Sequence, residues 1–369
     1  MTARVLGVVR GSTLLRSLAI VVVAGVVLIL VTNSVSSYRN LQIAYGAYYF
    51  CVLAGLTVLA GASGQISLGQ GAFMAVGAYA FAKLNAAPLA WSVFPSLVGA
   101  VAAAVLIGIP VGVAASRLRG PYLAGATLAF AVGLPALADK FQTFLGGENG
   151  LVVNPPTAPS WLGANFSLER WEAWVACAGA LVVVFVLYNL IHSAVGRSWR
   201  AVRDDEIAAS LAGLRVGRRQ ALAFTISAGC AGLGGGLLAA VTQLASPGAF
   251  PLQLSLTLLA GVVIGGLGSL FGALWGAILL VLLPNWTTDL ANSFSLSGNV
   301  SHNLPIAIYG LVLVGAMLVW PSGIQGGLRA IAHGVGPAIR SRRGPPASAP
   351  PAPEDTDAAK DEEVKASQP

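Results

Sequence analysis

The sequence has very little charge. Only 9% of its 369 residues are Asp, Glu, Lys or Arg, whereas 56% are hydrophobic and the mean hydropathy is +0.77. A soluble domain of this composition would expose large apolar patches to water, so the composition excludes a soluble protein and predicts an integral membrane protein. The net charge of +7 could suit a nucleic-acid partner, but the basic residues cluster at the termini and in short loops. That distribution is typical of charge that orients a membrane chain.

Cysteine and catalytic motifs are also scarce. The three cysteines, Cys51, Cys177 and Cys230, lie inside apolar runs without CxxC spacing, so neither a disulfide framework nor a zinc site is predicted. The sequence contains no GxxxxGK[ST], HExxH or GxSxG string. No ionisable residue lies in the middle of an apolar run, so an ion-coupled carrier would lack its usual residues. If ATP drives this protein, another subunit must hydrolyse it.

Nine apolar runs approach or exceed the length of about 20 residues that crosses a bilayer. They are residues 14–31, 41–62, 66–84, 89–115, 122–138, 173–191, 221–245, 254–284 and 304–320. The run 254–284 is long for one span and short for two, and dividing it near Gly265 and Gly268 gives ten crossings. Ten crossings place both termini and most arginines in the cytoplasm, as the positive-inside rule favours. The prediction is an all-α polytopic membrane protein with about ten transmembrane helices.

The remaining segments are assigned by composition. Residues 1–13 are predicted to be a cytoplasmic N-terminal segment, and residues 14–325 the transmembrane domain. Within that domain, 139–170 is a long outer loop and 192–220 a cytoplasmic loop. Residues 326–369 are first basic and then rich in proline and acid, with too little apolar surface to fold. They are predicted to form a disordered cytoplasmic tail.

Residues 196–220 are a charge-dense segment between two apolar runs, with six arginines and three acidic residues. Asp204 and Asp205 are both good N-cap residues, and an apolar stripe with helical spacing follows them. The pattern predicts a helix from about Asp204 to Leu214 that docks in a groove of a partner protein. The alternative is that it rests on anionic lipid headgroups. The predicted docking residues are Asp205, Glu206, Ile207, Leu211, Gly213 and Leu214.

Glycine and proline interrupt the apolar pattern in two places. The first interruption is GASGQISLGQGAF, residues 61–73, and the second begins with SPGAF, residues 246–250. With ten crossings, they occupy corresponding places in two inverted halves, where interrupted helices near the midplane expose backbone groups to a polar solute. The alternative is that small residues merely allow close packing. The candidate path residues are Gln65, Ser67, Gln70, Phe73, Pro247 and Phe250.

Four strings resemble one known family. They are GQISLGQGAFMAVGAYA (64–80), LGGENGL (145–151), the segment 196–220 and VVIGGLGSLFGALWGAILL (262–280). Together and in this order they resemble the LivM-type permease of branched-chain amino-acid ABC importers, over about residues 15–325. The resemblance implies a noncatalytic subunit in the bacterial inner membrane. Its implied partners are a second permease subunit, two cytoplasmic ATPase subunits and an extracytoplasmic substrate-binding protein.

The resemblance also implies roles for particular segments. Residues 196–220 would carry the coupling helix, and the partner would use ATP while this chain binds neither cofactor nor metal. The string LGGENGL would either contact the binding protein through Gly147 and Asn149 or simply turn tightly. Glu206 and Gly213 are seven residues apart, where ABC permeases commonly have six, which leaves the role of Glu206 open.

Substrate identity stays open. The resemblance implies branched-chain or other small amino acids, and a zwitterion would be served by helix-end dipoles and neutral side chains. Urea, short amides or simple sugars are the alternative substrates, because related importers share the scaffold. An ATP-independent channel or secondary carrier is the alternative of another class. A lipid-modifying membrane enzyme would need a polar catalytic cluster, which the sequence lacks.

Overall fold

The computed structural model describes residues 13–86, 89–118, 120–159, 162, 166–293, 308, 310–311, 315 and 323–332. Most of the predicted N-terminal segment, last span and tail (1–13, 304–320 and 326–369) therefore lies outside the described residues. The chain up to Leu328 forms one compact unit, and a second unit begins at Arg329.

The described chain is built almost entirely from helices, with one very short ribbon. In chain order the elements are α1 (Thr13–Ser34), α2 (Ser37–Leu56), α3 (Gln70–Asn85), α4 (Val93–Ala115), α5 (Pro121–Lys140), α6 (Gln142–Leu145), β1 (Leu151–Val152), α7 (Leu168–His192), α8 (Ala194–Asp204), α9 (Glu206–Leu211), α10 (Val216–Thr242), β2 (Leu244–Ala245), α11 (Leu252–Gly265), α12 (Leu270–Ser293) and α13 (Gly323–Ala332). Strands β1 and β2 pair antiparallel, with Leu151 opposite Ala245.

Seven helical segments in the described part of the chain are long and apolar enough to cross a membrane. They are Thr13–Ser34, Ser37–Ala62, Val93–Ala115, Tyr122–Lys140, Leu168–His192, Val216–Thr242 and Pro247–Gly265. A shorter apolar helix covers Leu270–Trp286. The predicted all-α polytopic membrane protein is confirmed, and the long run 254–284 is divided between α11 and α12. The total of about ten spans and the inverted halves stay predictions.

Helix α10 is the centre of the bundle, and most of it from Ala223 to Val241 is buried. A run of glycines on it faces three different helices. A Cβ atom at Gly234 would lie 2.9 Å from the Tyr48 carbonyl of α2, and one at Gly235 would overlap the Met74 carbonyl of α3. On the next face, a Cβ at Gly236 would lie 3.0 Å from a side chain of α4. The missing side chains let four helix backbones approach closely, as is common in membrane bundles.

Helices α11 and α12 form a tight antiparallel hairpin. A Cβ at Gly265 would overlap the Gly272 carbonyl, and a Cβ at Gly276 would overlap the Gly261 carbonyl. The glycines pair in opposite order along the two helices, so the helices run in opposite directions. The turn between them contains Gly268 with φ +84°, a conformation that side chains rarely adopt.

Helices α2 and α10 also run antiparallel. A Cβ at Gly55 would lie 2.6 Å from Cβ of Cys230. Tyr48, closer to the start of α2, instead lies beside Gly234, closer to the end of α10. Each of these two long helices is followed by an irregular segment and then a short helix. The short helices are α3, with 16 residues, and α11, with 14 residues.

Candidate functional site

The first interruption is an irregular segment between α2 and α3. Helix α2 widens into a π-helical turn at Thr57–Ala62, and the regular structure resumes only at Gln70. Single π-helical turns inside α-helices are frequent at functional sites. The chain turns at Gly64, whose φ of +75° favours glycine. We call residues 61–71 the first break.

Hydroxyl groups from two other helices hold the end of the first break. The backbone N–H of Leu68 donates to Thr127 Oγ1 of α5 at 3.0 Å. The backbone N–H of Gly71, in the first turn of α3, donates to Ser255 Oγ of α11 at 3.0 Å. The first N–H groups of a helix have no partner within it, so Ser255 Oγ replaces the missing acceptor for Gly71. This bond also brings the first turns of α3 and α11 together.

The side chain of Gln70 adds a link to the central helix. Its Nε2 donates to Ser227 Oγ at 3.0 Å, and both residues are buried. Ser227 lies about 16 Å from the start of α10, in a helix about 40 Å long. The start of α3 is therefore at an intermediate depth of the bundle, where polar groups are costly unless they have a use.

The first break also contains buried acceptors without partners. Oε1 of Gln65 and Oε1 of Gln70 have no hydrogen-bond partner among the described residues, and these side chains are only 6% and 1% exposed. An unpaired buried acceptor is costly, so its retention favours a role in binding a polar ligand. Ser67 is equally buried, and its Oγ accepts from the backbone N–H of Gly69 at 3.2 Å.

Phe73 lies one turn into α3 and is completely buried. The centroid of its ring is 5.0 Å from that of Phe130 in α5 and 5.6 Å from that of Phe224 in α10. Phe73 is therefore a packing contact between three helices in this conformation. A path along it would require at least one of those helices to move.

The second interruption lies between α10 and α11 and has a different structure. We call residues 243–251 the second break. It contains β2 and a 3-10 turn at Pro247–Ala249, which packs against the 3-10 turn Gly147–Asn149 of the long loop. Pro247 and Phe250 are both buried. The predicted path residues are thus divided between the two interruptions. Gln65, Ser67 and Gln70 lie in the first break and Phe73 just after it, whereas Pro247 and Phe250 lie in the second break.

The string LGGENGL forms tight turns against the second break. Gly147 is buried with φ +61°, whereas Asn149 is exposed. Gly150 has φ 70° and ψ −165°, and a Cβ there would overlap the Ala245 carbonyl. The backbone conformation of the turn therefore explains why glycine occupies both positions. A contact of Gly147 or Asn149 with a binding protein stays a prediction.

The predicted docking helix is present but shorter than expected. Helix α9 spans Glu206–Leu211, not Asp204 to Leu214. Asp205 is its N-cap, because Asp205 Oδ1 accepts from the backbone N–H groups of Ile207 at 2.8 Å and Ala208 at 3.0 Å. Asp204 instead ends α8 and does not cap α9.

The side chains of the predicted docking residues point to different surroundings. Ile207 is 72% exposed and Leu211 is 84% exposed, which leaves an apolar pair on the surface of α9. Leu214 lies beyond the helix and is partly buried, so it is not part of that pair. Glu206 Oε1 accepts from Gln220 Nε2 at 2.7 Å, which ties α9 to α10. Gly213 is exposed, and its φ of +84° ends the helix.

Several residues at the first break are absent from the sequence predictions. Thr127, Ser227 and Ser255 each supply a hydroxyl from a different helix. The signal that points to them is a lone hydroxyl residue within an apolar run, because such side chains commonly make contacts between membrane helices. Among the described residues, no group of three or more His, Cys, Asp or Glu side chains could hold a metal ion.

Known proteins resemble this chain over most of its length. Residues 37–320 match the family described as branched-chain amino acid transport system, permease component. The chain is 35% identical over 304 residues to the high-affinity branched-chain amino acid transport system permease protein LivM of Salmonella typhimurium, an alignment that covers 75% of this chain and 67% of the relative. It is 34% identical over 349 residues to LivM of Escherichia coli K12, covering 87% and 77% respectively.

A third relative is more distant. The high-affinity branched-chain amino acid transport system permease protein LivH of Escherichia coli K12 is 25% identical over 293 residues, covering 76% of this chain and 92% of the relative. No solved structure matches the chain. Because the family match and both LivM alignments cover most of the sequence, the chain belongs to the family of permease components of branched-chain amino acid transport systems.

Proposed function

We propose that this chain is the membrane-spanning permease subunit of an ATP-driven importer that moves branched-chain amino acids across the bacterial inner membrane. The observation that carries the proposal is the first break, a buried polar junction of four helices inside an apolar bundle, in a chain of this family. The chain itself does no chemistry, and a separate subunit hydrolyses ATP.

The proposed assembly contains a second permease subunit, two cytoplasmic ATPase subunits and an extracytoplasmic substrate-binding protein. The LivM and LivH relatives from one organism are both named permease proteins, which supports pairing of two permease chains. Helix α9 is the proposed ATPase contact. Its exposed pair, Ile207 and Leu211, would enter an apolar groove of the ATPase, since exposed apolar side chains on a short helix suit that mode of recognition.

The proposed topology has ten crossings in two inverted halves, with both termini in the cytoplasm. Two observations support it. The series α2, first break, α3 and the series α10, second break, α11 have the same order of long helix, interruption and short helix. Helices α2 and α10 also run in opposite directions. Inverted repeats with interrupted helices are a common construction of transporters.

The proposed substrate path crosses the first break. Backbone N–H groups in the first turns of α3 and α11 would favour the substrate carboxylate, because a helix N-terminus carries partial positive charge. The unpaired Oε1 atoms of Gln65 and Gln70 would accept hydrogen bonds from its ammonium group. Both glutamines are buried here, so the path opens only when α3 or α11 moves.

The test is transport by the reconstituted importer. Proteoliposomes are prepared with this chain, its partner permease, the ATPases and the binding protein. They are expected to accumulate labelled leucine only when ATP is present on the side of the bilayer that carries the ATPases. Labelled urea tests the alternative substrate class. Leucine uptake without the ATPases would instead support a channel or secondary carrier and contradict the proposal.

The proposed docking surface is tested in the same system. Ile207→Ser with Leu211→Ser is expected to release the ATPase during co-purification and to abolish uptake. The matched control is Val152→Ser with Leu244→Ser, which removes two exposed apolar side chains from the β1–β2 ribbon. ATPase binding that survives the α9 substitutions would favour contact between α9 and lipid headgroups.

A further inference from the structure

The last turn of α8 touches the first break directly. Arg203 Nη1 donates a hydrogen bond to the carbonyl of Gly61 at 2.6 Å, across 142 residues of sequence. Its aliphatic part lies against Gly64, where a Cβ would stand 2.8 Å from Arg203 Cγ. One side chain from the cytoplasmic loop therefore contacts both glycines at the start of the first break.

The interruption of α2 explains why Gly61 needs this donor. In an uninterrupted α-helix, the Gly61 carbonyl would accept from the backbone N–H of Gln65, four residues later. Here that N–H donates to the Leu59 carbonyl at 3.1 Å. The guanidinium of Arg203 takes its place at the Gly61 carbonyl. A cation at this end of α2 also interacts favourably with the helix dipole.

The next two residues fix the position of Arg203 relative to α9. Asp204 Oδ1 accepts from Arg203 Nε at 3.1 Å and from Nη2 at 2.9 Å, which leaves Nη1 for Gly61. Asp205 then caps α9. Three consecutive side chains therefore act together. Arg203 caps the interrupted α2, Asp204 holds the guanidinium of Arg203, and Asp205 caps α9. The Arg203–Asp204 pair is largely exposed, so its value here is geometric rather than energetic.

Gly61 also connects to the hairpin of α11 and α12. A Cβ at Gly61 would lie 2.5 Å from Cα of Gly268, so the two backbones touch without side chains between them. At the same turn, a Cβ at Gly323 would lie 2.7 Å from the backbone nitrogen of Gly266. A displacement of Gly61 cannot be absorbed by side-chain rearrangement and reaches the α11–α12 turn.

We propose that Arg203 is the positioning residue that transmits movement of α9 to the first break and, through Gly61, to the α11–α12 turn. The proposal rests on the proposed function, because α9 moves only if an ATPase binds it. Coupling of this kind requires a contiguous physical connection between the two sites, and the bond from Arg203 to Gly61 supplies it.

The test compares Arg203→Ala with Arg200→Ala in the complete reconstituted importer. Arg200 is exposed on the same helix and loses the same charge, but its bond is to the Ile191 carbonyl at 3.4 Å, outside the first break. The measurement is the amount of leucine imported per ATP hydrolysed. Arg203→Ala is expected to lower this ratio about threefold to tenfold while ATPase co-purification is unchanged. Arg203→Lys, which keeps one donor, is expected to restore part of the ratio.

Two results would overturn the proposal. One is a ratio for Arg203→Ala equal to that for Arg200→Ala. The other is loss of ATPase binding in Arg203→Ala, which would assign Arg203 to docking itself. An inactive wild-type importer would instead contradict the proposed function. If Arg203→Ala does not fold, Arg203→Lys and Asp204→Ala are compared with the wild type instead. The role of Arg203 would be refuted if both variants imported as much leucine per ATP hydrolysed as the wild type.

Discussion

The two breaks begin from similar sequence signals and have different structures. The first break is held by side chains from four other helices, through Thr127, Arg203, Ser227 and Ser255. The second break is held mainly by backbone, through the β1–β2 ribbon and a 3-10 turn packed on the long loop. Glycine and proline therefore indicate where a helix ends, and the neighbouring side chains determine what the interruption can do.

This difference supports different proposed roles for the two breaks. Among the described residues, the first break has buried amide oxygens without partners, and it contacts Arg203 of α8, so it suits the proposed moving, solute-binding junction. In the second break, Leu244 and Ala245 pair with the other strand of the ribbon, which suits the proposed fixed support. Leucine uptake by variants of each break distinguishes these roles.

Gly61→Val is expected to have the largest effect. The new side chain would overlap the backbone of the α11–α12 turn at Gly268, which cannot rearrange as a side chain would. We expect uptake to be lost and the free energy of unfolding to fall by about 3 kcal/mol. Thermal unfolding in detergent measures the change. Gly125→Val is the control, since a Cβ there meets no atom within 4 Å. Equal stability of the two variants would show that the contact at Gly61 is not tight.

Gln65→Ala with Ser67→Ala is expected to have the next largest effect. The substitutions remove polar groups of the first break while leaving the hydroxyl bonds from Thr127 and Ser255 in place. We expect leucine uptake to fall about tenfold with little change in unfolding temperature. Gln253→Ala, at an exposed glutamine of α11, is the control. Unchanged uptake kinetics would remove the substrate path from the first break.

Gly150→Ala is expected to have the smallest effect on uptake. Gly150 has φ 70° and ψ −165°, a region that is almost restricted to glycine, so alanine should cost about 2 kcal/mol locally. Faster hydrogen exchange at Leu151 and Val152 would report the weakened ribbon. We expect uptake to change less than about twofold, because local opening is confined to the support. A loss as large as that of the Gln65 and Ser67 variant would abolish the distinction between the breaks.

Glycine, proline and N-cap residue types predicted where helices are interrupted but not the exact residue at which each helix begins. The glycines near 265–268 correctly indicated that the run 254–284 divides. Asp204 and Asp205 are equally good caps by residue type. The structure identifies Asp205 as the cap by its extended backbone, with φ −158° and ψ 110°, and by the bonds that its Oδ1 accepts from Ile207 and Ala208. The sequence could not make that distinction, because it depends on where α8 ends.

Contacts between residues that are distant in sequence could not be predicted. Arg203 contributed to the predicted topology only as one positive charge among several, because its partner Gly61 is 142 residues away. The same holds for the bond between Gly71 and Ser255, which joins the two short helices. Stop signals for helices are local, whereas the partner of a freed carbonyl or N–H group comes from a helix that is distant in sequence.

The most direct measurement is chemical accessibility of the first break. The three native cysteines are buried, so a cysteine at Ser67→Cys can be followed with a maleimide in the reconstituted importer. We predict slow labelling without ATP, at least about fivefold faster labelling during ATP turnover, and protection by leucine. Val152→Cys, on the exposed ribbon, should label equally in all states. A labelling rate at position 67 that changes with neither ATP nor leucine would contradict a substrate path through the first break.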